Sequence, residues 1–417
     1  MKSAAKISGI IAMLRIVTLG ARFALTVYIT AVMGLVDVGR FGLVSGAALI
    51  LPPVIGFGLN FHLFRELVGE DRAERIVLLR HGLGAHVAVL GAATALAAAA
   101  WLTVGGRIDA LALLVVSIVW CETLGLDLYL ALTSLRANVA ANVSVAIRTA
   151  GWVPIVMIAG LLQPEWRTLE VVLVGWLGGG FANLAFVTLW LRREQLWRAL
   201  FAPGHEGWVR RTLPAAMAIW PSDMALVAIT FGDRFILSGM VSASALGLYV
   251  YYWTFANAVQ TLIQTSVLTP ALPRLVLAHR VDARDWAREV ARIAAPAAGA
   301  SVALALAVLA VIWLGARFVP ALKVPWSPWV ALPVFVAAIV RLVADFYSLA
   351  LNSAGRVRDY AMLNIGYAVM TLAACWAGAR VGGVGAAALA MAIASALFLA
   401  LRRRAVLAET KRAGAAV

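Results

Sequence analysis

The sequence predicts an all-α polytopic membrane protein of about twelve transmembrane helices in two six-helix bundles. Three observations carry this. Hydrophobic residues fill 63% of the 417 positions and charged residues only 13%, roughly half the charged share of a soluble chain. The apolar residues run in blocks of about twenty or more, the length that crosses a hydrocarbon core about 30 Å thick. Arginine and lysine gather in alternate segments between those blocks, as they do when they orient helices in a membrane.

The spans, in order, cover approximately 7–31, 42–64, 76–102, 109–133, 139–162, 168–191, 213–240, 246–270, 293–315, 328–351, 358–379 and 383–401, each long enough at about 1.5 Å per residue. The first resembles a secretory signal, with Lys2 and Lys6 before an apolar run. Arg15 and Arg22 interrupt that run and it continues to Gly34, so it is expected to be a retained helix. A β-barrel would need short alternating segments, which are absent. With the N-terminus inside, 23 of the 35 basic residues fall on inner segments and six on outer ones (Arg40, Arg107, Arg167, Arg317, Lys323 and Arg380). That bias places both termini in the cytoplasm and supports an even number of spans. Trp101, Trp166, Trp313, Trp326 and Trp329 near outer ends, and Trp197, Trp208 and Trp286 near inner ones, fit interfacial anchors.

The long polar stretch Arg192–Arg211 divides the chain: a bundle over 1–200, a linker over 201–212, a second bundle over 213–401 and a basic tail over 402–417. A shift of 208 residues lays Asp37-Val38-Gly39-Arg40-Phe41 onto Ala245-Leu246-Gly247-Leu248-Tyr249, both outer turns entering the second span of their half. Arg65 and Arg274 then close that span in each half. The pattern fits two parallel repeats with a transport site at their interface.

Several function classes fall away. The net charge of +15 is scattered between spans rather than gathered on one face, so nucleic acid is not a partner. Cys121 and Cys375 lie inside spans and build neither a disulfide framework nor a zinc site. His81 and His86 lack an acidic or cysteine companion at ligand spacing, so no metal is expected. Gly383-Val384-Gly385 opens no strand–helix unit and no phosphate-binding loop occurs, so no cofactor is expected and the chain does not itself hydrolyse ATP. Gly175 and Gly179 form a small-xxx-small pattern that predicts close helix packing.

Ionised side chains inside the spans are the main functional signal, because each costs about 2.5–3.5 kcal/mol at mid-membrane without a partner or a wet cavity. Arg15 and Arg22 are seven apart and share a helix face. Glu122, Asp127, Asp223 and Asp233 are carboxylates able to bind and release a proton during a transport cycle. Glu122 and Asp127 are five apart, about 140° around the helix, and do not share one site. Arg148 is expected to reach toward the inner interface. Arg341 and Asp345, four apart, predict a structural ion pair within one helix.

Two stretches carry a family resemblance. Arg22-Phe23 through Gly34 with Asp37-Val38-Gly39-Arg40-Phe41-Gly42 resembles the opening of polysaccharide flippases of the O-antigen (Wzx) type. Gly232-Asp233-Arg234-Phe235-Ile236-Leu237 followed by Ala245-Leu246-Gly247-Leu248-Tyr249 resembles their seventh-to-eighth helix signature. The resemblance implies the multidrug/oligosaccharidyl-lipid/polysaccharide exporter superfamily, whose two bundles form a V that alternates between inward and outward access. It implies an undecaprenyl-pyrophosphate-linked oligosaccharide as cargo, moved to the periplasmic leaflet, with membrane lipids, a proton or sodium gradient and the polysaccharide polymerase and chain-length machinery as partners. Peptidoglycan-lipid flippases usually carry two further helices, for which the spans leave no room. On this reading Arg15, Arg22 and Arg234 line the cleft as a cationic surface for the pyrophosphate, since guanidinium forks match phosphate oxygens. The alternative is that these arginines neutralise Asp223, Asp233 and others in static pairs. A multidrug exporter of the same fold remains the second reading of function, and a membrane glycan polymerase or ligase the third, though the latter would need a sizeable outer loop.

Overall fold

The computed structural model describes residues 2–59, 63, 72–106, 108–193, 207–281 and 283–415. Of these, 92% are helical, with no strand among the described residues. Arg65, Arg107, Arg198 and positions 201–206 of the expected linker lie outside the described residues.

The helices are α1 (Lys2–Val32), α2 (Leu35–Ile55), α3 (Arg72–Thr103), α4 (Ala110–Ser134), α5 (Asn138–Ala146), α6 (Val153–Leu162), α7 (Leu169–Arg193), α8 (Trp208–Ser238), α9 (Ala243–Ile263), α10 (Thr269–Val281), α11 (Ala283–Phe318), α12 (Pro328–Ser353) and α13 (Val357–Ala415). A π turn at Ile147–Gly151 joins α5 to α6, and another at Gln264–Leu268 joins α9 to α10. Among the described residues nine segments are long and apolar enough to cross a membrane, ten if α8, bent by 59° near Pro221, counts as one. A proline there lacks the N–H its turn needs and clashes with the carbonyl one turn back, so a bend is the expected response. Helix α13, at 59 residues, is far longer than any bilayer and breaks at Gly382 and Gly383, so it makes two crossings. Gly383 takes φ 65°, ψ −149°, a region in which a side chain would be strained. Helix α9 has 21 residues, enough to span, but its tyrosines, Asn257 and Gln260 make it less apolar. The described chain thus supplies twelve crossing segments, the number read from the sequence.

The outer surface confirms the solvent. Leu96, Ile155, Leu162, Val369 and Val381 are more than half exposed, a pattern that water would not tolerate over so large an area. This is a multi-pass membrane protein.

The chain forms two compact units, one of residues 1–28 and 44–224, the other of residues 29–43 and 225–417. The division differs from the linear split expected at 200–213. Residues 29–43 join the C-terminal unit because their glycines pack on α9. A Cβ on Gly39 would stand 2.8 Å from the Ala243 carbonyl oxygen, and one on Gly247 would overlap the Leu35 carbonyl. The two segments matched by the 208-residue shift, expected as outer turns, are the first turns of α2 and α9; they touch, and glycine is what lets the backbones approach. The tail expected from 402 is also not free: α13 continues to Ala415, and Arg402 is fully buried in the second unit.

Within the first unit α4 packs on α5 and α7. Ser144 Oγ donates to Asn183 Oδ1 at 2.5 Å, and Cys121 lies against Gly180. Gly175 and Gly179 both make room for Trp152, which stacks on Trp176 at 6.5 Å. The second unit buries Tyr249, Tyr251, Tyr252 and Trp253 of α9 against α12 and α13. Asp127 in α4 and Asp345 in α12 stand at the same position, 17 residues after the first residue of their helices.

Candidate functional site

Helix α1 carries the exposed cations. Arg15 and Arg22 are both exposed, seven residues apart on one side of the helix. Arg15 Nε makes a single long hydrogen bond, 3.4 Å, to Asn142 Oδ1. Arg22 lies within electrostatic range of Glu122 and Arg148 and makes no ion pair with a carboxylate among the described residues. A guanidinium that keeps its surface inside a spanning helix must border water or headgroups, since hydrocarbon would reject it. These two side chains are held open on the first unit.

Glu122 is closed by contrast. It is 3% exposed, its Oε2 is 3.2 Å from Arg148 Nη1, and its Oε1 accepts from Trp176 Nε1 at 2.9 Å. Arg148 also donates to the Glu122 carbonyl at 2.9 Å, while its own carbonyl accepts from Trp152 Nε1 at 3.0 Å. The expectation that Arg148 reaches the inner interface is overturned: the π turn at 147–151 turns it into the bundle, and Gly125, where a Cβ would stand 2.5 Å from Nη1, gives it passage. A buried carboxylate paired in this way is costly to break.

Asp127 accepts or shares a proton with His86, Nδ1 to Oδ2 2.8 Å. The sequence reading weighed His86 only as a metal ligand and missed this partner. The usable signal was a histidine in one apolar span and a carboxylate in the next, each of which needs the other. Asp223 on α8 is half-buried and makes no hydrogen bond or ion pair among the described residues.

In the second unit Asp233 is fully buried. It accepts a very short hydrogen bond from Tyr249 Oη and one from the Arg234 backbone N–H at 2.8 Å. Arg234 is not on an open lining. It is 5% exposed, donates Nη1 to the Gly42 carbonyl at 3.1 Å and lies 5.4 Å from the Phe231 ring. The reason is local: the Gly42 carbonyl, in the first turns of α2, lies within reach of its fork. Arg341 Nε stands 3.7 Å from Asp345 Oδ2, but the guanidinium's hydrogen bonds go to the Ile229 carbonyl and Thr230 Oγ1. Asp345 is bound more tightly by Arg402, Nη1 to Oδ1 2.9 Å, which also donates to Asn364 Oδ1 at 2.7 Å and lies over Tyr367. Arg402 had been read as tail; nothing in a run of three arginines distinguishes the one that turns inward.

Cys121 and Cys375 are free and buried. Among the described residues no cluster of three His, Cys, Asp or Glu side chains is placed to hold a metal.

No family model matches the chain, and no curated protein matches it either. Solved structures do. The chain is similar to a structure described as "Lipid II flippase MurJ, inward closed conformation", with a TM-score of 0.65 at 11% identity over 96% of this chain and 87% of that one. It is similar to a MATE transporter in complex with MaL6, TM-score 0.54 at 18% identity, 97% of each chain covered. A multidrug resistance MATE family transporter of the MOP superfamily, in an inward-facing conformation, gives 0.53 at 15% identity over 95% of this chain and 99% of that one. The chain therefore has the fold of the MOP-superfamily transporters.

Proposed function

We propose that the protein is a flippase for an undecaprenyl-pyrophosphate-linked oligosaccharide, working in the bacterial inner membrane with both termini in the cytoplasm. The observation that carries this is the pair of exposed guanidinium groups on α1. Other intramembrane arginines whose partners are defined, Arg148, Arg234 and Arg341, are buried on carbonyls or carboxylates. Arg15, held by one long hydrogen bond among the described residues, and Arg22 present exposed forks to a pyrophosphate, and two forks seven residues apart suit a ligand with two phosphates. The likeness in fold to a lipid II flippase supports a lipid-linked cargo. No chemistry on the cargo is required of the chain; it binds, reorients and releases.

For coupling to a proton or sodium gradient, Asp223 is the carboxylate of choice, because Glu122 and Asp233 are committed to partners and Asp127 to His86. A carboxylate without a fixed cation can change its charge during a cycle at least cost. Polysaccharide polymerase and chain-length proteins are the partners this role implies.

Deleting the gene should strand lipid-linked glycan in the cytoplasmic leaflet and reduce surface polysaccharide; unchanged glycan and unchanged lipid intermediate would end the proposal. The second reading, export of multidrug or other amphiphilic cargo, is favoured by the MATE likenesses and by the unpaired Asp223, which suits a cationic drug. Restored drug tolerance without any glycan phenotype would select it.

A further inference from the structure

Away from α1, the first unit holds a cavity of 270 Å³ between α3, α4 and α7. Its wall is mostly aliphatic, with Leu83, Leu128 and Val187 among the lining, and its polar groups include Arg80, His86 and Asp127. His86 is 2% exposed. Its Nδ1 is engaged by Asp127, while its Nε2 is buried without a hydrogen-bond partner among the described residues. A buried ring nitrogen left unpaired costs free energy that a ligand would recover.

The cavity sits near the basic end of the unit. Asp127 is seven residues, about 10 Å, from the end of α4. Arg75, whose guanidinium reaches the Ser134 carbonyl at 2.9 Å, together with Arg136, Arg192 and Arg193 marks that end. At 270 Å³ the cavity lies below the roughly 300–1,000 Å³ of drug-sized ligand pockets. It is too small for an oligosaccharide. Its aliphatic part offers water none of the two to four polar partners each molecule needs.

We propose that this cavity is a binding site for an anionic membrane lipid, a site separate from the transported cargo's. A phosphate oxygen of the headgroup accepts from His86 Nε2, and part of one acyl chain lies along the leucines. With Nδ1 engaged by Asp127, Nε2 is the ring nitrogen left to meet such an oxygen. Arg80 in the same wall supplies the positive field that selects an anion. Basic pockets between transmembrane helices are a recurring form of lipid recognition.

The test is titration of the purified full chain, in a nonionic detergent, by calorimetry or native mass spectrometry. The ligands are myristoyl-lysophosphatidylglycerol, myristoyl-lysophosphatidylcholine and inorganic phosphate. The anionic lysolipid should bind as one molecule per chain, at least about tenfold more tightly than the zwitterionic one, with no binding of phosphate alone. His86→Gln, which keeps a donor for Asp127, should weaken binding about tenfold. Ala131→Phe, which fills the cavity from its apolar side and leaves the His–Asp pair intact, should abolish it; thermal unfolding without lipid checks that both variants fold. Equal affinity for the two lysolipids, capture of free phosphate, or wild-type affinity in either folded variant would overturn the assignment.

Discussion

The ionised side chains of this chain fall into two kinds, and the difference is one of partners rather than of residue type. Glu122 with Arg148, Asp233 with Tyr249, and Asp345 with Arg402 are closed; Arg15, Arg22 and Asp223 are open. Replacing Arg148 by Met should leave Glu122 buried without its cation and cost about 3–5 kcal/mol, read as a fall in thermal stability of the purified protein. Adding Glu122→Gln to that variant should recover a good part of the loss, because a neutral amide is far cheaper to bury than a lone carboxylate. Asp223→Asn should leave stability nearly unchanged and slow gradient-driven transport, measured with and without an imposed pH or sodium step. The sequence showed which residues were charged inside spans but not which were paired. Pairing depends on the neighbour across the helix contact, and sequence spacing reports only neighbours along one helix. Arg341 illustrates the limit: its i+4 partner Asp345 is near, yet the guanidinium spends its short bonds on α8 and the carboxylate turns to Arg402.

Elements were more legible. The twelve crossings follow from block length and from the alternation of basic segments, two signals that depend only on lipid thickness and membrane potential. The break at Gly382–Gly383 falls where the reading separates 358–379 from 383–401, whereas composition could not show the π turn at 147–151 or the capture of residues 29–43 by the second unit. The last has its cause in two glycines. Gly247→Val should drive α9 away from the Leu35 carbonyl and be among the most damaging single changes in the chain, seen as loss of folded protein on detergent extraction; Val381→Ala, on an almost fully exposed apolar position, should leave the yield unchanged.

At the scale of the whole molecule, the first helix of a chain with the fold of the MOP-superfamily transporters carries an open cationic face. The inferred orientation predicts that single cysteines placed at Lys2 and at Lys411 react with a membrane-impermeant maleimide from the same side, in inside-out vesicles and not in intact cells; labelling from opposite sides would require an odd number of crossings. The central claim, that Arg15 and Arg22 meet a pyrophosphate, is tested most directly by reconstitution. Proteoliposomes carrying the purified chain and a fluorescent polyprenyl-pyrophosphate-linked saccharide would be followed for movement of the label between leaflets. Movement should depend on the protein and fall by roughly ten- to a hundredfold in the Arg15→Ala/Arg22→Ala variant, the loss of one or two charge-assisted hydrogen bonds, with folding unaltered. Undiminished movement in that variant would contradict the account.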